Sequence, residues 1–299
     1  MTGSYVNAFC ITRPPGHHAG RFLHPMKAVS NGFCILNAVA CAAIHATANP
    51  NDGGLGLSRV CVVDFDVHHG NGTQDILCST YDPRYLYIST HAGGVEVNGR
   101  PPSDDDLELH HPKKSKRGGI YPGHCGDSSP HSGVVNVPLG ETVTSHGVGA
   151  ALLGRVGPAI TNFMPELIII SAGFDAHKSD PMGLGGLTAA DFASITEFIC
   201  ELALKHCSGR VVSVLEGGYG VPCCRTQKDL FLPMAGGGDT AEQKARPQPS
   251  KLLDLDLPDS MDDQVPYALQ RRLEKCHEEG FVECVREHVA SLAKCNKRD

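Results

Sequence analysis

The chain has 299 residues, 41% apolar and 20% charged, enough for one large α/β domain or two ordinary ones, which excludes a disordered polypeptide. Its 26 Lys and Arg against 33 Asp and Glu leave a formal charge of -7, which excludes a basic footprint for nucleic-acid phosphates and favours a cationic partner. No apolar run reaches the roughly 18–20 residues of a membrane span, and the 13 cysteines, without a C-x-x-C pair, read as reduced, mostly buried thiols of an intracellular protein rather than a disulfide scaffold or zinc finger.

Taken in chain order, a strand-length apolar run at 6–12 is followed by a helical pattern at about 37–45. A run at 60–63 precedes a helix at about 73–79, and further runs follow at 85–89 and 134–139. The stretch 144–163 reads as a helix bent at Pro158, and 167–171 as the next strand. In 188–206, Thr188 with Asp191 forms a capping box, and Phe192, Ile195, Phe198, Ile199 and Leu202 recur at helical spacing. The run at 211–215 ends the series. Most of these runs are continuously apolar, as parallel strands covered on both faces require, so the alternation predicts a wound, mostly parallel α/β sheet.

Two segments break the rhythm. Residues 92–119 hold Gly93-Gly94, Pro101-Pro102, Asp104 to Asp106 and the basic Lys113, Lys114, Lys116 and Arg117, a long exposed loop. Residues 236–266 open on three glycines and carry Pro247, Pro249, Pro258 and Pro266, a flexible linker to a charged helix within 267–299 that packs on the main domain of residues 1–235.

Unusual polar residues follow the carboxyl ends of the runs: Arg13-Pro-Pro-Gly-His17-His18, Asp64-Phe-Asp66-Val-His68, His91, Asp175-Ala-His177 and Glu216-Gly-Gly-Tyr219. In an open parallel sheet the ligand crevice lies at that edge, so five segments converge on one place. Asp64, Asp66 and His68 at i, i+2, i+4 point to one side while the backbone stays extended. With Asp175 they offer one imidazole and carboxylates, which suits a catalytic Zn²⁺ and also admits Fe²⁺ or Mn²⁺. Adjacent His17 and His18 suit proton transfer. A phenol at Tyr219, on a glycine turn, suits stabilisation of an oxyanion. Phe33 and Tyr121 would line a narrow apolar channel.

At these residues the chain resembles the zinc-dependent histone deacetylase family and its acetylpolyamine amidohydrolase relatives. The likeness rests on Arg13-Pro-Pro-Gly-His-His-Ala19, Gly32-Phe-Cys-Ile-Leu-Asn37, Val63-Asp-Phe-Asp-Val-His-His-Gly-Asn-Gly-Thr-Gln74, Ser171-Ala-Gly-Phe-Asp175, Asp180-Pro-Met182 and Leu215-Glu-Gly-Gly-Tyr219, in the family's order over about residues 5–222. Asn71 and the Leu215-Glu-Gly-Gly-Tyr219 form make it similar to class II, and Tyr219 separates it from the class IIa pattern. The resemblance implies a three-layer α/β/α fold of the arginase/deacetylase type, with Zn²⁺ on Asp66, His68 and Asp175. It implies His18 as general base and acid, His17 as its electrostatic partner steadied by Asp64, Asn71 orienting His18, and Tyr219 polarising the acetyl carbonyl. Gly32, Phe33, Tyr121, Met182 and Gly217 would form the substrate tunnel, and a structural K⁺ would use Asp64, Asp66, His68 and Ser89. It further implies acetyl-lysine in histone tails or other proteins as substrate, corepressor or other complex subunits as partners, no direct nucleic acid or membrane contact, a role in chromatin and transcription, and a nuclear or cytoplasmic location. Acetylpolyamine hydrolysis and a non-catalytic module are the alternatives. Only twelve residues precede Arg13, so the family's early strands and rim loop are expected to be missing from this N-terminally truncated domain.

Overall fold

Five runs rich in Val, Ile, Leu and Tyr and one short Asn-Ala-Phe-Cys run form one sheet: β1 (Asn7–Cys10), β2 (Val60–Asp64), β3 (Tyr85–His91), β4 (Val134–Pro138), β5 (Leu167–Ala172) and β6 (Val211–Leu215). The computed structural model describes residues 6–22, 28, 30–93, 120–122, 133–219 and 280–295. The chain divides into one unit of Met1–Val221 with Glu279–Asp299 and another of Pro222–Glu278, and every described residue belongs to the first. Most of the loop expected over 92–119, the linker over 236–266 and the first part of the charged C-terminal segment lie outside the described residues.

The strand order is β1-β6-β5-β2-β3-β4 and every pairing is parallel. From β2 the chain winds outward through β3 and β4, then returns to the other side of β2 with β5. Loops leaving β2 and β5 therefore diverge, which opens a crevice at their carboxyl ends. The register sets Asp64 of β2 opposite Ser89 of β3 and Ser171 of β5, so these strands end level with one another.

Because successive side chains of a strand face opposite ways, the continuous apolar runs serve two cores. Val60, Val62, Tyr87 and Ile169 pack with Val39, Ala40 and Ala43 of α1 (Ala38–Thr47) and Leu77 of α2 (Asn71–Cys78). On the other face Cys61, Val63, Ile88, Ile168 and Ile170 meet α3 (Ser145–Ala151), α4 (Gly157–Phe163), α5 (Ala189–Cys207) and α6 (Phe281–Cys295). This is a three-layer α/β/α arrangement. Phe192, Ile195 and Ile199 of α5 are at most 3% exposed, and burying each such side chain stabilises the fold by about 1.5–3 kcal/mol.

Asn37 caps α1 by accepting the Ala40 N–H at 2.9 Å. The Asp191 carboxylate accepts the Thr188 N–H at 2.7 Å and closes the capping box of α5. Just before Pro158, where the sequence predicts a bend, stands a π-helical turn, Leu152–Val156, whose end is marked by Gly157 N–H donating to the Leu152 carbonyl. Proline lacks the N–H that would continue the α pattern, and the wider turn absorbs the lost bond. Helix α6 crosses α5 and the β1 end of the sheet. Its His288 reaches Thr196 of α5 at 2.7 Å and Ser213 of β6 at 2.8 Å, and Asn7 of β1 donates to the Leu292 carbonyl at 2.8 Å. The nine described cysteines are all thiols, six of them buried.

Candidate active site

The loops after β1, β2, β5 and β6 meet at the crevice. Asp64 and Asp66 are inaccessible to solvent and His68 is buried, as are Asp175 and the pair His17 and His18. A buried carboxylate is tolerated when its lone pairs find donors. Asp64 Oδ2 takes His17 Nδ1 at 3.0 Å and the Tyr87 hydroxyl at 3.1 Å, while Oδ1 takes the Asp66 N–H at 3.1 Å. Asp66 accepts the N–H groups of His68 at 2.9 Å and Gly217 at 2.8 Å. Asp175 accepts the Val67 N–H at 3.0 Å.

The two histidine rings lie with centroids 4.0 Å apart and planes tilted by 41°, yet their environments drive them in opposite directions. Burial disfavours a charge on His17, but the carboxylates of Asp66 and Asp64 outweigh it and hold its pKa well above the usual imidazole value. Burial, reinforced by the charges of His17 and His68, holds His18 well below it. His18 Nδ1 lies 2.7 Å from Asn71 Oδ1. An amide oxygen only accepts, so this contact places the proton on Nδ1 and leaves the Nε2 lone pair for chemistry.

Asp66, His68 and Asp175 each present a ligand atom within 4.8 Å of the others'. His68 Nδ1 stands 3.1 Å from Asp66 and 3.0 Å from Asp175. Burial lowers the pKa of His68, but the hydrogen bond and charge of Asp175, followed by those of Asp66, more than compensate and push it up to about 10. Two buried carboxylates facing one imidazole nitrogen make a donor set of one nitrogen and carboxylate oxygens that fits a divalent metal. Gly217 is the floor of this set: a Cβ there would lie 2.4 Å from Asp175 Oδ2 and 2.6 Å from Asp66 Oδ2.

Of the residues expected to form a channel, Gly32, Tyr121 and Gly217 lie against the histidine pair or the carboxylates. Gly32 at φ +50 lies against His18 and Tyr121, and a Cβ on it would stand 2.3 Å from His18 Cδ2. Tyr121 sets its ring edge-on to His18 at 4.6 Å and donates its hydroxyl to the Ser30 carbonyl at 2.6 Å. Phe33, in the left-handed region at φ 68 and 63% exposed, meets Tyr219 edge-on at 5.9 Å. Tyr219 is capped by the Arg13 guanidinium 5.3 Å from its ring centroid. Burial, then the charges of Asp66 and Asp175, raise the Tyr219 pKa, so the phenol stays a donor. Met182 is partly buried and tied by its N–H to Asp180 at 2.9 Å. Gly217 sits under the carboxylates. Ser89, named with Asp64, Asp66 and His68 for a K⁺, contacts His91 Nδ1 at 2.8 Å.

Three supporting residues had no assigned role from the sequence. Glu216 accepts the N–H groups of Gly16 at 2.6 Å and His17 at 3.1 Å, bracing the histidine loop, and burial pushes its pKa up to about 7. Tyr87 bridges Asp64 and the Gly70 carbonyl at 3.0 Å. Asp180 holds the Met182 and Tyr219 backbones. Glu216 was marked by its place after β6 in the Leu-Glu-Gly-Gly-Tyr motif and Asp180 by its place in Asp-Pro-Met. Tyr87 sits within an apolar strand and carries no such mark.

Fold and site together define an α/β/α protein of the arginase/deacetylase type with a buried Asp66, His68 and Asp175 group suited to hold a metal at its switch point. The histone deacetylase domain matches residues 1–231, and the chain belongs to that family. It is 38% identical over 222 residues to type-2 histone deacetylase 2 of Dictyostelium discoideum, covering 73% of this chain and 12% of that protein. It is 35% identical over 232 residues to a probable deacetylase of Archaeoglobus fulgidus, covering 78% of this chain and 55% of that one. A polyamine deacetylase of Mus musculus is 36% identical over 226 residues, 73% of this chain and 28% of that protein. The crystal structure of the HDA15 HD domain superposes with a TM-score of 0.51 at 33% identity, covering 73% of this chain and 54% of that one. The chain thus spans about half or less of the length of these relatives. No helix among the described residues is long and apolar enough to cross a membrane.

Proposed function

We propose that the chain carries the catalytic centre of a zinc-dependent protein lysine deacetylase of class II type, which cleaves the acetyl amide of acetyl-lysine in histone tails or other proteins and releases acetate. The observation that carries the reading is the convergence of Asp66, His68 and Asp175 beside a histidine pair with one available ring nitrogen. Zinc held by those three residues would supply Lewis-acid polarisation of the acetyl carbonyl and a more acidic water. His18 would take a proton from the attacking water at Nε2, since Asn71 occupies Nδ1, and return it to the departing lysine amine. His17, held by Asp64, would steady the charge beside it. Tyr219 would donate its hydroxyl to the carbonyl oxygen as negative charge develops there. Gly32, Phe33, Tyr121 and Met182 would enclose the lysine stem, with Gly217 beneath the reacting carbon. A structural K⁺ on Asp64, the backbone of Asp66 and His68, and Ser89 would brace the carboxylate cluster. Residues 1–235 form the catalytic domain in this reading, 236–266 a linker, and 267–299 a helix packed on the domain. A nuclear or cytoplasmic protein acting on chromatin within a corepressor complex fits this chemistry.

The test couples metal analysis to turnover. The purified chain supplied with Zn²⁺ is expected to retain it near stoichiometrically and to release acetate from an acetyl-lysine peptide, while Asp66→Ala or His68→Ala loses both. Near-stoichiometric zinc in either variant refutes the ligand set. The likeness to a polyamine deacetylase favours a second substrate class, so the same assay is run on an acetylated polyamine. Preference for that amine over the peptide would replace the first reading.

A further inference from the structure

Asp180 is a buried carboxylate, 5% exposed, that belongs neither to the metal-binding set nor to the histidine pair. It lies in the turn that follows Asp175, with its own N–H donated to the His177 carbonyl at 2.9 Å and its carbonyl accepting the Gly183 N–H at 3.0 Å. Its two carboxylate oxygens serve different pieces of chain. Oδ1 accepts the Met182 N–H at 2.9 Å, and Oδ2 accepts the Tyr219 N–H, also at 2.9 Å.

The second bond spans 39 positions of sequence and lands on the loop after β6 just past two glycines. Two glycines precede Tyr219, and Gly218 has φ +117, a conformation that L side chains rarely adopt. The Tyr219 ring is touched by Phe33 and overlain by Arg13, but these contacts grip the ring and leave the backbone that carries it to be set by something else. Gly217 is anchored by its N–H on Asp66 at 2.8 Å and by its carbonyl accepting the Phe174 N–H at 3.0 Å, and beyond Gly218 the backbone of Tyr219 itself is held by the bond to Asp180. The two amides reach separate oxygens of the one carboxylate. An asparagine offers one oxygen, and its NH₂ would face the other N–H as donor against donor.

We propose that Asp180 is a positioning residue that holds the Tyr219 phenol and the Met182 side of the substrate channel in fixed relation through their backbones. This rests on the deacetylase reading, because the phenol matters to rate only if it meets the acetyl carbonyl. A displacement of about 1 Å in such a group costs about 100-fold in rate.

The experiment uses the zinc-loaded chain and Asp180→Asn, alone and combined with Tyr219→Phe, with two readouts. The first is amide hydrogen exchange at positions 182 and 219. The second is turnover of an acetyl-lysine peptide separated into kcat and KM. Asp180→Asn should lose protection at one or both amides and lose about 10- to 100-fold in kcat, with bound zinc unchanged. Added to Tyr219→Phe, it should cause no further loss in kcat. The proposal is overturned if both amides stay protected, if kcat is unchanged while protection is lost, or if the kcat loss persists in the Tyr219→Phe background. Should the zinc-loaded wild type show no turnover, the deacetylase reading fails first, and retained exchange protection in Asp180→Asn still overturns the clamp. Asp180→Glu, which keeps the charge and moves the carboxylate by one methylene, gives the same comparison if Asp180→Asn does not fold.

Discussion

His288 ties the C-terminal helix to the rest of the fold, and it should make stability depend on pH in a calculable way. It is inaccessible to solvent and sits between Thr196 and Ser213. The Thr196 hydroxyl donates to the Phe192 carbonyl at 2.7 Å, so its oxygen is left to accept, and His288 donates from Nδ1. Nε2 then accepts from Ser213, and the neutral ring satisfies both nitrogens. Burial lowers its pKa from 6.5 to about 4. The unfolded chain therefore binds this proton more readily than the folded one. The contribution is fully present above about pH 6.5 and is lost as pH falls towards 4. A shift of about 2.5 units corresponds to about 3 kcal/mol, a large share of the roughly 5–15 kcal/mol margin of a domain. Urea unfolding of wild type and His288→Gln at pH 7 and pH 4 isolates the effect, because glutamine keeps a donor and an acceptor without titrating. Wild type should lose about 3 kcal/mol more than the variant across that interval. Equal losses would show that His288 does not hold a neutral, desolvated place under α6.

Further outcomes concern the site. Gly217→Ala places a methyl 2.4 Å from Asp175 and 2.6 Å from Asp66, which must separate these carboxylates by several tenths of an ångström or more. Zinc affinity measured by calorimetry should fall about 10- to 100-fold, and unchanged affinity would remove Gly217 from the floor of the set. His18→Ala should reduce peptide turnover more than His17→Ala, with both still binding a hydroxamate chelator; the reverse order would exchange their roles. Phe33→Ala should raise KM for an acetyl-lysine peptide while zinc content stays constant, since the exposed ring offers apolar area at the mouth. An unchanged KM would make Phe33 a bystander.

The sheet was legible because strands buried on both faces must be apolar throughout, so 60–63 and 167–171 stand out with no alternation to interpret. Asp66, His68 and Asp175 were legible because each follows such a run directly. What escaped depended on partners remote in sequence. Glu216 meets Gly16 across 200 positions and Asp180 meets Tyr219 across 39; neither spacing leaves a local pattern. Tyr87 looks like any strand aromatic until the fold aims its hydroxyl at Asp64. Asn71 opens α2 two residues before the helical pattern begins, because Gly70 and Gly72 weaken that pattern without preventing the turn.

Helix α6 also bears on where this protein can be cut. The match to the histone deacetylase domain ends at residue 231, yet the core does not close until Phe281–Cys295 has returned to it. Phe281 presses on Phe174 with ring centroids 6.0 Å apart, and its ring is the nearest neighbour that a side chain on Gly218 would meet, so the helix also underlies the loop that carries Tyr219. A fragment ended at the family boundary would leave Phe9, Phe65 and Phe174 beside a vacant groove and His288's hydroxyl partners facing water. Expression boundaries drawn from recognisable motifs would thus produce a sticky, poorly closed particle, whereas boundaries that include the last helix would retain the lining of the groove.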